Sequence, residues 1–74
     1  LQKYGNISGD SGVRAFEIRP DSIAVQFASG VTYVYSVASA GAANIERMKT
    51  LARAGRGLST FIATHVHDAY ASKS

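Results

Sequence analysis

The chain has 74 residues, no cysteine, and eight basic against five acidic side chains, for a formal net charge of +3. That length gives one domain with a modest core, and the lack of cysteine excludes disulfides and thiolate metal sites. No apolar run approaches the ~20 residues needed to span a bilayer and no signal-peptide pattern is visible, so a cytoplasmic protein without membrane contact is expected.

Residues 1–12 (LQKYGNISGDSG) are rich in Gly, Ser, Asn and Asp and carry no sustained period. They read as an N-terminal arm that is flexible or only loosely docked, which Tyr4 and Ile7 could anchor in a surface groove. A single α+β domain is expected over residues 13–74. Its first strand is Val13 to Ile18, with Phe16 and Ile18 on one face and Val13, Ala15 and Glu17 on the other. Arg19-Pro20-Asp21-Ser22 makes a turn, in which proline presets φ at the second position.

From Ser22 to Ser36 the pattern predicts a β-hairpin. Ile23, Val25 and Phe27 alternate on one arm and Val31, Tyr33 and Tyr35 on the other. Ala28, Ser29 and Gly30 form the loop between them, where glycine tolerates positive φ. Three strands with tight links give an antiparallel meander with one apolar face. The opposite face carries Ala15, Glu17, Ala24, Gln26, Thr32 and Val34, which is small and free of Lys and Arg.

Ser39 is the expected N-cap of the first helix, with Gly41 weakening its first turn and allowing the start to slip to Ala42. Ile45, Met48, Leu51 and Ala52 supply a buried stripe at three- and four-residue spacing. Gly55 ends that helix in the left-handed region. Ser59 is the expected N-cap of a second helix running to about Ala71, with Leu58 as a staple on Ala63. Leu58, Phe61, Ile62, Val66, Ala69 and Tyr70 form its apolar face, and Lys73 favours its C-terminal dipole. The expected architecture is thus α+β, a three-stranded antiparallel β-meander followed by two α-helices packed on one face of the sheet.

This order and punctuation resemble the KTSC domain, a small module named for its occurrence at the C-terminus of some lysyl-tRNA synthetases. The residues that carry the resemblance are the Phe27 to Gly30 turn, Tyr33-Val34-Tyr35, the break Ala54-Gly55-Arg56-Gly57, and Ile62, Val66 and Tyr70. It covers Val13 to Tyr70. The sequence departs from the family pattern at Val37-Ala38-Ser39, where a proline-containing link is usual. The resemblance implies no biochemical activity; the synthetase association suggests RNA as a partner.

Three features invite a chemical reading. His65-Val66-His67-Asp68 resembles part of a metal site. On a helix, however, residues two apart are rotated by ~200° and cannot share one ion. His65 is expected to border the core and His67 to be solvated, so neither a metal nor a cofactor is expected. Gly55-Arg56-Gly57 precedes a helix start, where Arg56, Gly57 and Ser59 form a candidate anion site. Lys49, Arg53 and Arg56 lie at i, i+4 and i+7 and form a basic stripe, partly neutralised by Glu46.

No acid, histidine and nucleophile fall in a catalytic order, and an enzyme is not expected. The leading expectation is a small non-catalytic interaction module that contacts RNA or DNA, independently of sequence, through Lys49, Arg53 and Arg56. The competing expectation is a structural or protein-binding domain that acts, as a homodimer or with another partner, through the uncharged face of Ala24, Gln26, Thr32 and Val34.

Overall fold

A computed structural model of the chain describes residues 1–6 and 12–74. The fold is α+β, as expected, but the sheet has five antiparallel strands where three were expected. They are β1 (Gln2–Lys3), β2 (Val13–Arg19), β3 (Ser22–Phe27), β4 (Thr32–Ser36) and β5 (Ser72–Lys73), in the spatial order β1-β2-β3-β4-β5. Three helices follow β4: α1 (Val37–Ala40), α2 (Ala42–Ala54) and α3 (Leu58–His65). No helix is long and apolar enough to cross a membrane.

The hairpin closes as its alternation requires. Phe27 and Val31 pair across the Ala28, Ser29 and Gly30 loop, with the Phe27 amide donating to the Val31 carbonyl at 2.9 Å and Gly30 at φ 94°. In register, Phe16, Val25 and Tyr33 lie side by side, as do Ile18, Ile23 and Tyr35. Directly opposed residues share a face, so these rows form one apolar surface. It packs on Ile45, Met48 and Ala52 of α2, Leu58 and Ile62 of α3, and Val66 just beyond it.

Val13 belongs to that surface, not to the opposite face. Val13 pairs with Phe27 and Ala15 with Gln26, so Arg14 is an extra residue and the register shifts there. A bulge of this kind breaks the two-residue period and lets residues an odd number apart face the same way. Val13 and Phe16 are consequently both buried, at 3% and 1% exposure.

Of the N-terminal arm, expected to be flexible or only loosely docked, residues 1–6 lie against the sheet, and Ile7 lies outside the described residues. Gln2 pairs with Phe16 and Lys3 with Ala15. Tyr4 is only 2% exposed, sets its ring edge-on to Phe16 at 6.4 Å, and accepts a 3.4 Å hydrogen bond from the Leu58 amide at its hydroxyl. The arm thus supplies both an edge strand and a core aromatic. It also brings Lys3 to the sheet face that the three-strand reading left without a cation.

The helix boundaries also differ. Ser36, not Ser39, is the N-cap: Ser36 Oγ accepts from the Ser39 amide at 3.1 Å while Ser39 Oγ accepts from the Ser36 amide at 3.0 Å. This box nucleates the four-residue α1, and Gly41 at φ 92° breaks it before α2 starts at Ala42. Gly55 ends α2 at φ 76°, its amide donating to Leu51 and Ala52 carbonyls. Gly57, not Ser59, caps α3, and Leu58 is its first residue, fully buried. Of the other expected core residues, Phe61 is only half-buried and Tyr70 is 36% exposed.

Tyr4→Ala should cost ~3–5 kcal/mol, approaching the whole stability of so small a domain. Tyr4→Phe keeps the ring and should cost ~1 kcal/mol, the hydrogen bond to Leu58 alone. Phe61→Ala should cost less than ~3 kcal/mol because part of that ring is already in water. Urea denaturation of the three variants measures all of these.

Candidate functional site

The basic stripe is not brought together as a surface. Arg53 and Arg56 are exposed, but Lys49 is 5% exposed. Its Nζ donates to the Pro20 carbonyl at 3.1 Å and lies 3.6 Å from Glu46 Oε2. In the same turn, the Asp21 carbonyl accepts from the Val37 amide at 3.0 Å. Lys49 therefore serves to fasten α2 to the turn between β2 and β3. Its stem is buried while its ammonium donates to a turn carbonyl.

At the candidate anion site, Arg56 is exposed and Gly57 holds φ 80°. Ser59 lies within α3, one residue past its start, and is not a cap. The first amide of α3, that of Leu58, is already directed at the Tyr4 hydroxyl. An anion arriving there would meet fewer free donors than the sequence pattern implies.

The two histidines have separate surroundings. His65 stacks on Phe61 at 4.4 Å between ring centroids and meets Thr64 Oγ1 at 2.8 Å through Nδ1. His67 lies beyond the helix and meets Asp68 Oδ1 at 2.8 Å through Nδ1. Among the described residues, no group of three or more His, Cys, Asp or Glu is placed to hold a metal ion.

A cleft of about 410 Å³ is lined by Phe27, Ser29, Tyr33, Tyr35, Ile62, His67, Asp68 and Tyr70. Tyr33 and Tyr35 project from the covered face of β4, and Phe27 ends β3. The remaining wall exists because α3 stops early. Val66 leaves the helical region at φ −131°, and the Ala69 amide closes a turn onto the Val66 carbonyl at 2.9 Å. The Ala71 amide then donates to the Val34 carbonyl at 2.6 Å, and Ser72 and Lys73 pair with β4. Tyr70 is carried across the tyrosines by this return, not by a longer helix. Its ring meets Tyr33 at 5.0 Å and 73°, and Tyr35 at 6.5 Å and 85°. Phe27 meets Tyr33 at 5.4 Å and 90°.

The electrostatics of the cleft are simple. Asp68 is the only carboxylate lining it, and no Lys or Arg lines it among the described residues. Lys73 stands outside, with Nζ 5.8 Å from the Tyr33 ring centroid, within cation–π range. Burial, and then the neighbouring phenols of Tyr33 and Tyr70, push the Tyr35 hydroxyl from 10.0 up to about 12.

Ser29, His67 and Asp68 are the residue types of a hydrolytic triad, but they are not arranged as one. Among the described residues no hydrogen bond joins Ser29 to His67. The His67 and Asp68 side chains are 76% and 91% exposed, so water screens their pairing.

Nothing in the sequence marked Tyr70 as part of a cleft, because its four-residue spacing from Val66 reads equally well as a helix face. The available signal was His67-Asp68, where aspartate favours a turn over a helix interior. No family model matches the chain, and no curated protein or solved structure matches it.

Lys49→Ala should lower stability by ~1–3 kcal/mol by leaving the Pro20 carbonyl without its donor, whereas Arg53→Ala should fall within ~0.5 kcal/mol of zero; chemical denaturation compares them. Tyr35 gives a pH dependence. Between pH 10.0 and about 12 the unfolded chain releases the phenolic proton while the folded protein keeps it. Its contribution to stability is therefore complete below pH 10 and is lost as pH rises through that window. Thermal melts across the range should show the fall, and Tyr35→Phe should flatten it.

Proposed function

We propose that the protein is a small non-catalytic interaction module whose contact site is the aromatic cleft. The observation that carries this reading is the surface of Tyr70, a large aromatic left 36% exposed against three further rings in a concave wall. Aromatic rings beside an opening offer large, stiff contact area at a low cost in side-chain entropy. The residues behind the KTSC resemblance support it further. Phe27, Tyr33, Tyr35, Ile62 and Tyr70 all line the cleft, so membership of that family is part of the same proposal.

A second reading keeps the polyanion contact. Arg53 and Arg56 are exposed near the C-terminus of α2, and without Lys49 they are its whole base. Two phosphate contacts imply weak binding of RNA or DNA with a salt slope near −2.

Backbone amide NMR separates the two. Titration with a mixture of small aromatic, aliphatic and organic-cation fragments should move resonances of Phe27, Tyr33, Ile62 and Tyr70, and a single-stranded oligonucleotide titrated separately should leave them in place. Tyr70→Ala should remove at least ~90% of the fragment affinity, by loss of ~1.4 kcal/mol or more. Shifts confined to Arg53 and Arg56 with the oligonucleotide, and none in the cleft with any fragment, would decide for the arginines.

A further inference from the structure

We propose that the cleft takes an organic cation, specifically the trimethylammonium head of a ligand. The inference rests on the cleft being the contact site and adds its chemistry. Three observations lead to it.

First, the walls are aromatic and meet near right angles. The planes of Tyr33 and Tyr35 lie 18° apart, while Tyr70 stands at 73° and 85° to them and Phe27 at 90° to Tyr33. Rings set this way form the corner of a cage, and the electron-rich faces of several rings act on a cation together. Second, the charge is complementary. Among the described residues, the one carboxylate in the lining is Asp68 and no Lys or Arg side chain joins it there. His67 donates from Nδ1 to Asp68 at 2.8 Å, and the carboxylate remains 91% exposed and open to a second partner. Third, the cluster already attracts a cation of its own, since Lys73 Nζ stands 5.8 Å from the Tyr33 centroid.

Methylation of the head follows from the lining. A bare ammonium is strongly hydrated and brings three donors that need acceptors; Asp68 and Ser29 can accept at one side, but Ile62, Phe27 and the faces of the tyrosine rings, which make five of the eight lining residues, provide none. A trimethylammonium head brings no donor and covers its charge with methyl groups. It can lie against Ile62 and the rings while its charge is matched by the ring faces and Asp68. An anion or a polyphosphate would meet the carboxylate unopposed.

Two sources carry this head: a small molecule such as choline, and a trimethylated lysine side chain in a peptide. The probes are therefore choline, its neutral isostere 3,3-dimethyl-1-butanol, and a short peptide with one trimethyllysine. All are titrated against the whole chain and followed by amide NMR. Choline should move the cleft resonances and bind at least about fivefold more tightly than the isostere, which has the same shape without the charge. Asp68→Asn should weaken choline about three- to tenfold and leave the isostere unchanged. Lys73→Ala should strengthen choline about two- to fivefold, because it frees the Tyr33 face and removes a like charge. Equal affinity for choline and the peptide means that the head alone is read; a peptide at least tenfold tighter assigns the head to a protein side chain.

Binding of the isostere as tightly as choline, or weaker choline binding on Lys73→Ala, overturns the cation and leaves the cleft as a neutral apolar site. If none of the three probes moves the cleft and the fragment mixture does, the cation is likewise excluded. If the fragments also fail, the cleft itself is excluded as the contact site.

Discussion

Everything in this fold answers to one constraint: a twisted antiparallel sheet with a single apolar face, in a chain with little else to cover it. Phe16, Ile18, Ile23, Val25, Tyr33 and Tyr35 are placed on that face by pairing alone. Two helices of thirteen and eight residues must close over it. They do not suffice, and the chain ends supply the remainder. Tyr4 fills the space beside the start of α3, while Val66 and Tyr70 extend the cover beyond its end. The cleft is the place where this cover thins, so the same shortage of covering residues leaves tyrosine rings partly uncovered.

The parts of the fold that could be read from the chain were those with a local cause. The hairpin follows from strict alternation about a small loop with glycine, and the end of α2 at Gly55 follows from the one residue type that enters the left-handed region freely. The parts that could not be read depend on partners far along the chain. Tyr4 is an isolated aromatic in a polar arm, and its contacts with Phe16 and with Leu58, 54 residues away, make it a core residue. The bulge at Arg14 leaves no mark in composition, yet it moves Val13 to the other face of the sheet.

The charged and aromatic residues show the same division. Lys49 has the spacing of a surface stripe, but it also neighbours Met48 on the buried side of α2, and the Pro20 carbonyl decides between the two. Tyr33 and Tyr35 were legible as members of the apolar face, and in the fold Tyr35 is buried and Tyr33 partly so. What the spacing concealed was the wall opposite. Continuing the helix through Val66 to Tyr70 satisfies the same apolar period as ending it at His65. The choice falls to the backbone pairing of Ala71, Ser72 and Lys73 with β4, which no helical period can reveal.

The Tyr4 to Leu58 contact also bears on the order in which the molecule assembles. Strands β2, β3 and β4 and the helices join neighbours in sequence, so their loops are short and close early. Strand β1 likewise pairs with its neighbour β2, but the Tyr4 to Leu58 contact spans 54 residues, and such a closure carries a larger entropic cost than the links between neighbours. Tyr4 therefore ties the first residues of the chain to the start of α3, and β2, which pairs with the arm on one edge and with β3 on the other, carries that tie into the meander.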